Sequence, residues 1–222
     1  MESANFCKYF KNDSLMKKLL ILLFSLFLLN SPSVFAEDIS DFEIEGMSIG
    51  DSLLDYMSED EILSVIERTK NNYSWLNEPN KYAEVYMWEE FPTYDSISFF
   101  IKNNLTNQYV TNKNEKYTIL FIRGMVYYIE DFDSCIEKRD EIVKIFSGMF
   151  PNATKKENMF KHSVDSSGRS IIDAVYFYFD SGGDAEVYCS NYEETFRIKN
   201  NYSEGLSVVI SSEDINKWFE ER

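Results

Sequence analysis

Runs of strands set between helices, in place of strict helix–strand alternation, mark this chain as an α+β protein with an antiparallel sheet and helices packed on one of its faces. Three observations carry that reading. Two helix starts are written as capping boxes, Ser58 with Glu61 and Ser134 with Glu137. The 15 Tyr and 18 Phe gather in alternating apolar–polar runs that suit half-buried strands. No Ser/Gly-rich or Pro-rich linker divides the chain, so residues 37–222 read as a single α+β domain.

Taken in order, residues 37–45 form an acidic lead-in, and Ser48 is placed to cap a brief helix through Leu53, Leu54 and Met57. Ser58 then opens a helix that buries Ile62, Val65 and Ile66 at helical spacing. Strands follow at 83–89 and 95–102, the second with Ile97, Phe99 and Ile101 on one face. A polar loop covers 103–114. Residues 116–129 are strongly β-prone, with Gly124 marking a turn or a bulge.

A second block begins at Ser134, whose helix carries Cys135, Ile142, Phe146 and Met149 on its apolar stripe and is stopped by Pro151. Strands at 171–179 and 185–190 are joined by Asp180-Ser181-Gly182-Gly183-Asp184, a hairpin signal. Leu206 to Ile210 is the last strand, and a closing helix from Ser212 buries Ile215, Trp218 and Phe219. The order reads as two degenerate helix–strand–strand–strand blocks followed by a C-terminal helix.

The amino-terminal part carries an address. Lys17-Lys18, the apolar run Leu19 to Leu29 broken only by Ser25, and Ser31-Pro32-Ser33-Val34-Phe35-Ala36 read as a signal peptide over 16–36, cleaved after Ala36. That run falls short of the roughly 20 apolar residues a spanning helix needs. Met16-Lys17-Lys18 is how such signals begin, so residues 1–15 read as untranslated and Cys7 drops out. The expectation is a periplasmic or secreted protein; the alternative is an uncleaved N-terminal helix anchored in the inner membrane.

Removing Lys8, Lys11, Lys17, Lys18, Glu2 and Asp13 leaves 18 basic and 36 acidic residues, a formal charge of −18. So acidic a chain argues against nucleic acid and against anionic membrane surfaces as partners. Two cysteines remain, Cys135 and Cys189, the even number expected of a disulfide in an exported chain. Cys135 lies on the helix's apolar stripe, and Cys189 shares a strand face with Ala185 and Val187, so both point into one helix–sheet interface.

Little catalytic chemistry is legible. His162 stands alone in a polar stretch and reads as a surface histidine; with Cys135 and Cys189 paired, no nucleophile–base set remains. One histidine and two core cysteines make no zinc ligand set, and no phosphate-cradling loop or dinucleotide fingerprint implies a cofactor. The acidic clusters at 130–133 and 180–184 are accounted for by helix capping and turn chemistry rather than by a calcium loop. Among 36 acids nothing selects a pair for hydrolysis. Tyr176 and Tyr178 project from one strand face and Tyr188 from its neighbour. They form either a platform for a partner or a face covered by a helix.

Gly46-Met47-Ser48-Ile49-Gly50-Asp51-Ser52-Leu53-Leu54-Asp55-Tyr56, followed by Glu61-Ile62, resembles the opening of a set of uncharacterised exported bacterial proteins. Cys135 before Lys138-Arg139-Asp140-Glu141 fits the same pattern. More distantly, Gly46-Met47-Ser48 ahead of a helix and three strands is similar to the BamE/SmpA-like and β-lactamase-inhibitor-like α+β modules, which bind proteins. BamE-type proteins carry a lipidated cysteine that this chain lacks. The function expected is therefore non-catalytic binding of another cell-envelope protein, with a carboxylate-dependent hydrolase or a small-ligand or cation binder using an acidic cleft as the alternative.

Overall fold

Seven antiparallel strands form one open sheet in the order β1-β2-β3-β7-β6-β5-β4. The computed structural model describes residues 39, 42–73, 76, 81–88, 90–103 and 116–221. The signal-peptide reading and most of the 103–114 loop lie outside these residues. The elements are α1 (Glu59–Thr69), β1 (Tyr82–Met87), β2 (Ser96–Lys102), β3 (Ile119–Tyr127), α2 (Phe132–Met149), β4 (Thr154–Lys161), β5 (Ile171–Tyr178), β6 (Asp184–Asn191), α3 (Glu194–Asn200), β7 (Gly205–Ser211) and α4 (Glu213–Glu220). Each block runs as a helix followed by a meander from one sheet edge toward the centre. The two meanders meet where β3 pairs with β7.

The capping box at Ser58 and Glu61 is present, with both reciprocal hydrogen bonds made. At the second helix the expectation fails. Asp131, not Ser134, is the cap: its side chain accepts from the Ser134 N–H, and the helix begins three residues earlier than expected, at Phe132. Nor does Ser48 open a helix; Ser52 caps a single 3₁₀ turn, Leu53–Asp55, and accepts from the Leu54 N–H. Gly124 makes neither a turn nor a bulge, because β3 runs through it unbroken. The Tyr94 ring packs so closely there that a Cβ would meet it at 2.6 Å.

Period-two alternation decides which side chains are buried under α1 and α2. Val85, Ile97, Phe99, Ile101, Ile122, Ala185, Val187 and Cys189 face these helices and are fully buried. Cys135 and Cys189 form the disulfide, with Cα atoms 6.0 Å apart, within the range such a bond allows. Beside it, Arg139 is buried at the helix–sheet interface and pairs with Asp173 on β5. Ile142 and Met149 are only partly buried, whereas Val143 joins Cys135 and Phe146 in the core.

The C-terminal helix α4 covers the opposite face. Ile215 and Trp218 pack with Tyr82, Phe100 and Leu120 in a second, smaller cluster. A register shift between Phe100 and Ile101 makes it possible, because Leu120 and Phe121 then both turn toward α4. Two elements escaped the sequence reading: β4, whose residues are all exposed, and the short helix α3.

Candidate functional site

Strand register places a continuous row of side chains across the sheet on the face away from α1 and α2. Lys156 (β4) lies opposite Tyr176 (β5), then come Glu186 (β6), Val209 (β7), Arg123 (β3), Ser98 (β2) and Tyr86 (β1). One residue pair along, Tyr178, Asp184, Ser211, Phe121, Phe100 and Glu84 form the next row, which α4 covers in part. Tyr188 belongs to the row on the other side, between Ala174 and Ser207.

The three tyrosines therefore share a face but split into two groups. Tyr176 and Tyr178 stack with ring centroids 5.9 Å apart and an interplanar angle of 12°. The Lys156 ammonium sits 5.1 Å from the Tyr178 ring centroid. Tyr178 is 40% exposed, and burial together with the neighbouring Glu186 pushes the Tyr176 phenol up to about 12. Tyr188 instead turns inward, within hydrogen-bonding reach of Arg123.

Arg123, which the sequence reading missed, organises the inner half of the face. Its Nε donates to Ser98 Oγ at 3.1 Å, and Tyr86, Tyr73 and Tyr188 surround it. Burial works against the guanidinium charge, but the three phenols more than offset it, and its pKa lies above the ordinary value. Glu84 is buried beside them. Its carboxylate accepts from the Tyr86 hydroxyl at 2.6 Å and from Asn72 Nδ2 at 2.9 Å. Alternation in β1 and β3 was the available signal, since Glu84, Tyr86 and Arg123 each fall opposite an apolar neighbour that faces the helices.

Asp184 and Glu186, two apart on β6, form a carboxyl pair that sequence alone did not single out. Asp184 Oδ1 accepts from Ser211 Oγ at 2.7 Å and from Asn216 of α4. Burial raises both groups above the usual carboxylate range, and the charge of Asp184 raises Glu186 further.

At the β1 end Trp88, 59% exposed, stacks on Tyr86 at 5.4 Å and 11°, with the Arg68 guanidinium 5.6 Å from its ring centroid. Together with Met57, Val65 and Met87 these side chains line a groove of about 360 Å³ between α1 and the sheet.

His162 is not a surface residue. It is half-buried among the rings of Tyr192, Phe196 and Tyr202, with centroids 5.4–5.7 Å away, and burial lowers its pKa. Of the acidic clusters, Asp131 caps α2, and Asp184 bonds Ser211 and Asn216. Among the described residues no group of three or more His, Cys, Asp or Glu side chains is arranged to hold a metal ion. Among the same residues no helix is long and apolar enough to cross a membrane. No family model matches the chain, and comparison with curated proteins and with solved structures finds no match.

Proposed function

We propose that this chain is an exported, non-catalytic binding protein that engages another cell-envelope protein through the sheet face carrying Tyr176, Tyr178 and Tyr188. The observation that supports it is the row Lys156–Tyr176–Glu186 with the stacked, part-exposed Tyr178 beside it. Stacked tyrosines with a cation over one ring offer a rigid contact area of the kind that dominates protein interfaces. The disulfide fits an oxidising compartment, as the signal peptide expects.

The test is a pull-down from a periplasmic extract, followed by direct titration of the purified partner. Tyr176→Ala/Tyr178→Ala should weaken that binding about tenfold or more, as loss of interface hot spots does, while Trp88→Ala leaves it unchanged. A partner whose affinity ignores both tyrosines overturns the reading.

One observation favours a carboxylate-dependent reading instead, the carboxyl groups of Asp184 and Glu186 two apart on β6, both raised above the usual carboxylate range by burial. A thermal-shift screen against sugars, peptides and divalent cations separates the two, because a ligand that binds only the native state raises its melting temperature. A shift that Glu186→Gln abolishes would favour the acidic site.

A further inference from the structure

The strand β4 ends the sheet, and every one of its eight residues is exposed. The other edge is shielded, since Thr69 Oγ1 at the end of α1 donates to the Glu84 carbonyl of β1 at 2.6 Å. On β4 the direction of the backbone follows from one bond. The His162 N–H donates to the Ser170 carbonyl at 2.9 Å, continuing the register that pairs Lys161 with Ile171 without a break. Bonded and non-bonded pairs alternate in an antiparallel ladder. Thr154, Lys156, Asn158 and Phe160 therefore bond β5, whereas Lys155, Glu157, Met159 and Lys161 direct their N–H and C=O groups outward.

The chemistry of this edge is opposite to that of the chain. Lys155, Lys156 and Lys161 stand against Glu157 alone, on a protein of formal charge −16. Lys155 already neutralises Glu157 at 2.8 Å, which leaves a basic group toward each end of the strand. Between them Met159, 61% exposed, and Phe160 are open. Edge lysines repel neutral or like strands. Two copies overlapped fully along this edge would set Lys155 of each against Lys161 of the other. The same lysines select an acidic strand.

We propose that the β4 edge is a docking site for an extended acidic peptide segment, which adds to the sheet by main-chain hydrogen bonds to Lys155, Glu157, Met159 and Lys161. Its carboxylates pair with Lys161 on one face of the added strand and with Lys156 on the other. This site shares Lys156 with the tyrosine face, but its main-chain hydrogen bonds do not rest on the reading of that face.

The probe is a fluorescein-labelled alternating glutamate–valine octapeptide, followed by anisotropy and by amide exchange. Saturable binding is expected, weakened by salt, with new protection at the Glu157 and Met159 amides. Glu157→Pro removes an outward donor that β5 does not use, and should weaken binding about tenfold or more. Lys155→Glu/Lys156→Glu/Lys161→Glu should abolish it, and this variant carries the test if the proline disturbs the hairpin. Tyr188→Ala, which alters the inner face, should bind normally even if the reading of that face fails. No saturable binding at low salt, or binding indifferent to Glu157→Pro in a protein of unchanged melting temperature, overturns the proposal. So does a concentration-dependent dimer in sedimentation that Glu157→Pro dissolves, which would give the edge to a second copy of the chain.

Discussion

Arg139 and Asp173 form an ion pair at 2.5 Å beside the Cys135–Cys189 disulfide. Asp173 lies directly across the β5–β6 ladder from Cys189, and Arg139 sits one helical turn beyond Cys135. A covalent bond and an ion pair thus tie α2 to the same hairpin, side by side. Asp173→Ala leaves the buried guanidinium with Asp140 as its remaining carboxylate. Urea unfolding should show a loss of about 2 kcal/mol, while Asp173→Ala/Arg139→Met should recover part of it.

The disulfide closes a loop with a sequence separation of 54 residues. In the chain-entropy account such a loop contributes about 4 kcal/mol. Reduction should lower the melting temperature accordingly, and non-reducing peptide mapping should recover Cys135 linked to Cys189. Free thiols at both positions would reopen a reactive-cysteine reading.

Two groups give pH effects of opposite sign. The Asp184–Glu186 pair binds protons more tightly in the folded state than in the unfolded chain, because burial raises both groups. Its contribution is complete below the ordinary carboxylate range and is lost as pH rises through the raised folded values. Burial lowers the pKa of His162, so its contribution is complete above its ordinary pKa of about 6.5 and is lost as pH falls below that value. Stability measured by chemical denaturation across pH should lose its alkaline decline in Glu186→Gln and the histidine part of its acid decline in His162→Phe. Unchanged slopes in these variants would remove both assignments.

Glu204 is buried just before β7. It accepts from the Glu130 N–H at 2.9 Å and from the Tyr192 N–H at 3.2 Å. Glu204→Ala leaves two backbone donors without their acceptor. Thermal denaturation should show a loss of about 2 kcal/mol, and amide exchange should rise at Glu130 and Tyr192.

Gly124→Ala drives a methyl group into the Tyr94 ring. It should destabilise the protein by about 1–3 kcal/mol, the cost of overpacking a filled site, and Gly124→Ala/Tyr94→Ala should recover part of that loss in the same melt.

Much of the fold was legible because its signals are local. Ser58 and Glu61 sit three apart, and the alternation of Ala185, Val187 and Cys189 needs no distant partner to be read. Arg139 was not legible as a core residue, since its burial depends on Asp173 arriving from another strand. The strand β4 carries no alternation, because neither of its faces is buried, so pattern alone reads it as loop. The face residues are intermediate. Tyr176, Tyr178 and Tyr188 follow from period two within one hairpin, but the row that adds Arg123 and Tyr86 follows only from the register of strands far apart in sequence. His162 was misread for a related reason: its lysine and serine neighbours are polar, while the rings that enclose it come from residues 192–202.

The covalent bridge lies entirely within residues 135–189, whereas α1 and β1 to β3 are joined to the rest without one, through the β3–β7 ladder, the packing of α4 and the core shared beneath α1 and α2. The molecule is therefore covalently secured on one side only. Thermal fluctuation should open the first half before the second, exposing β7 as a fresh edge while α2 and its hairpin stay closed. A protease or a chaperone meeting this protein would find its handle at the amino-terminal half of the domain, and the stapled half would outlast the first cut.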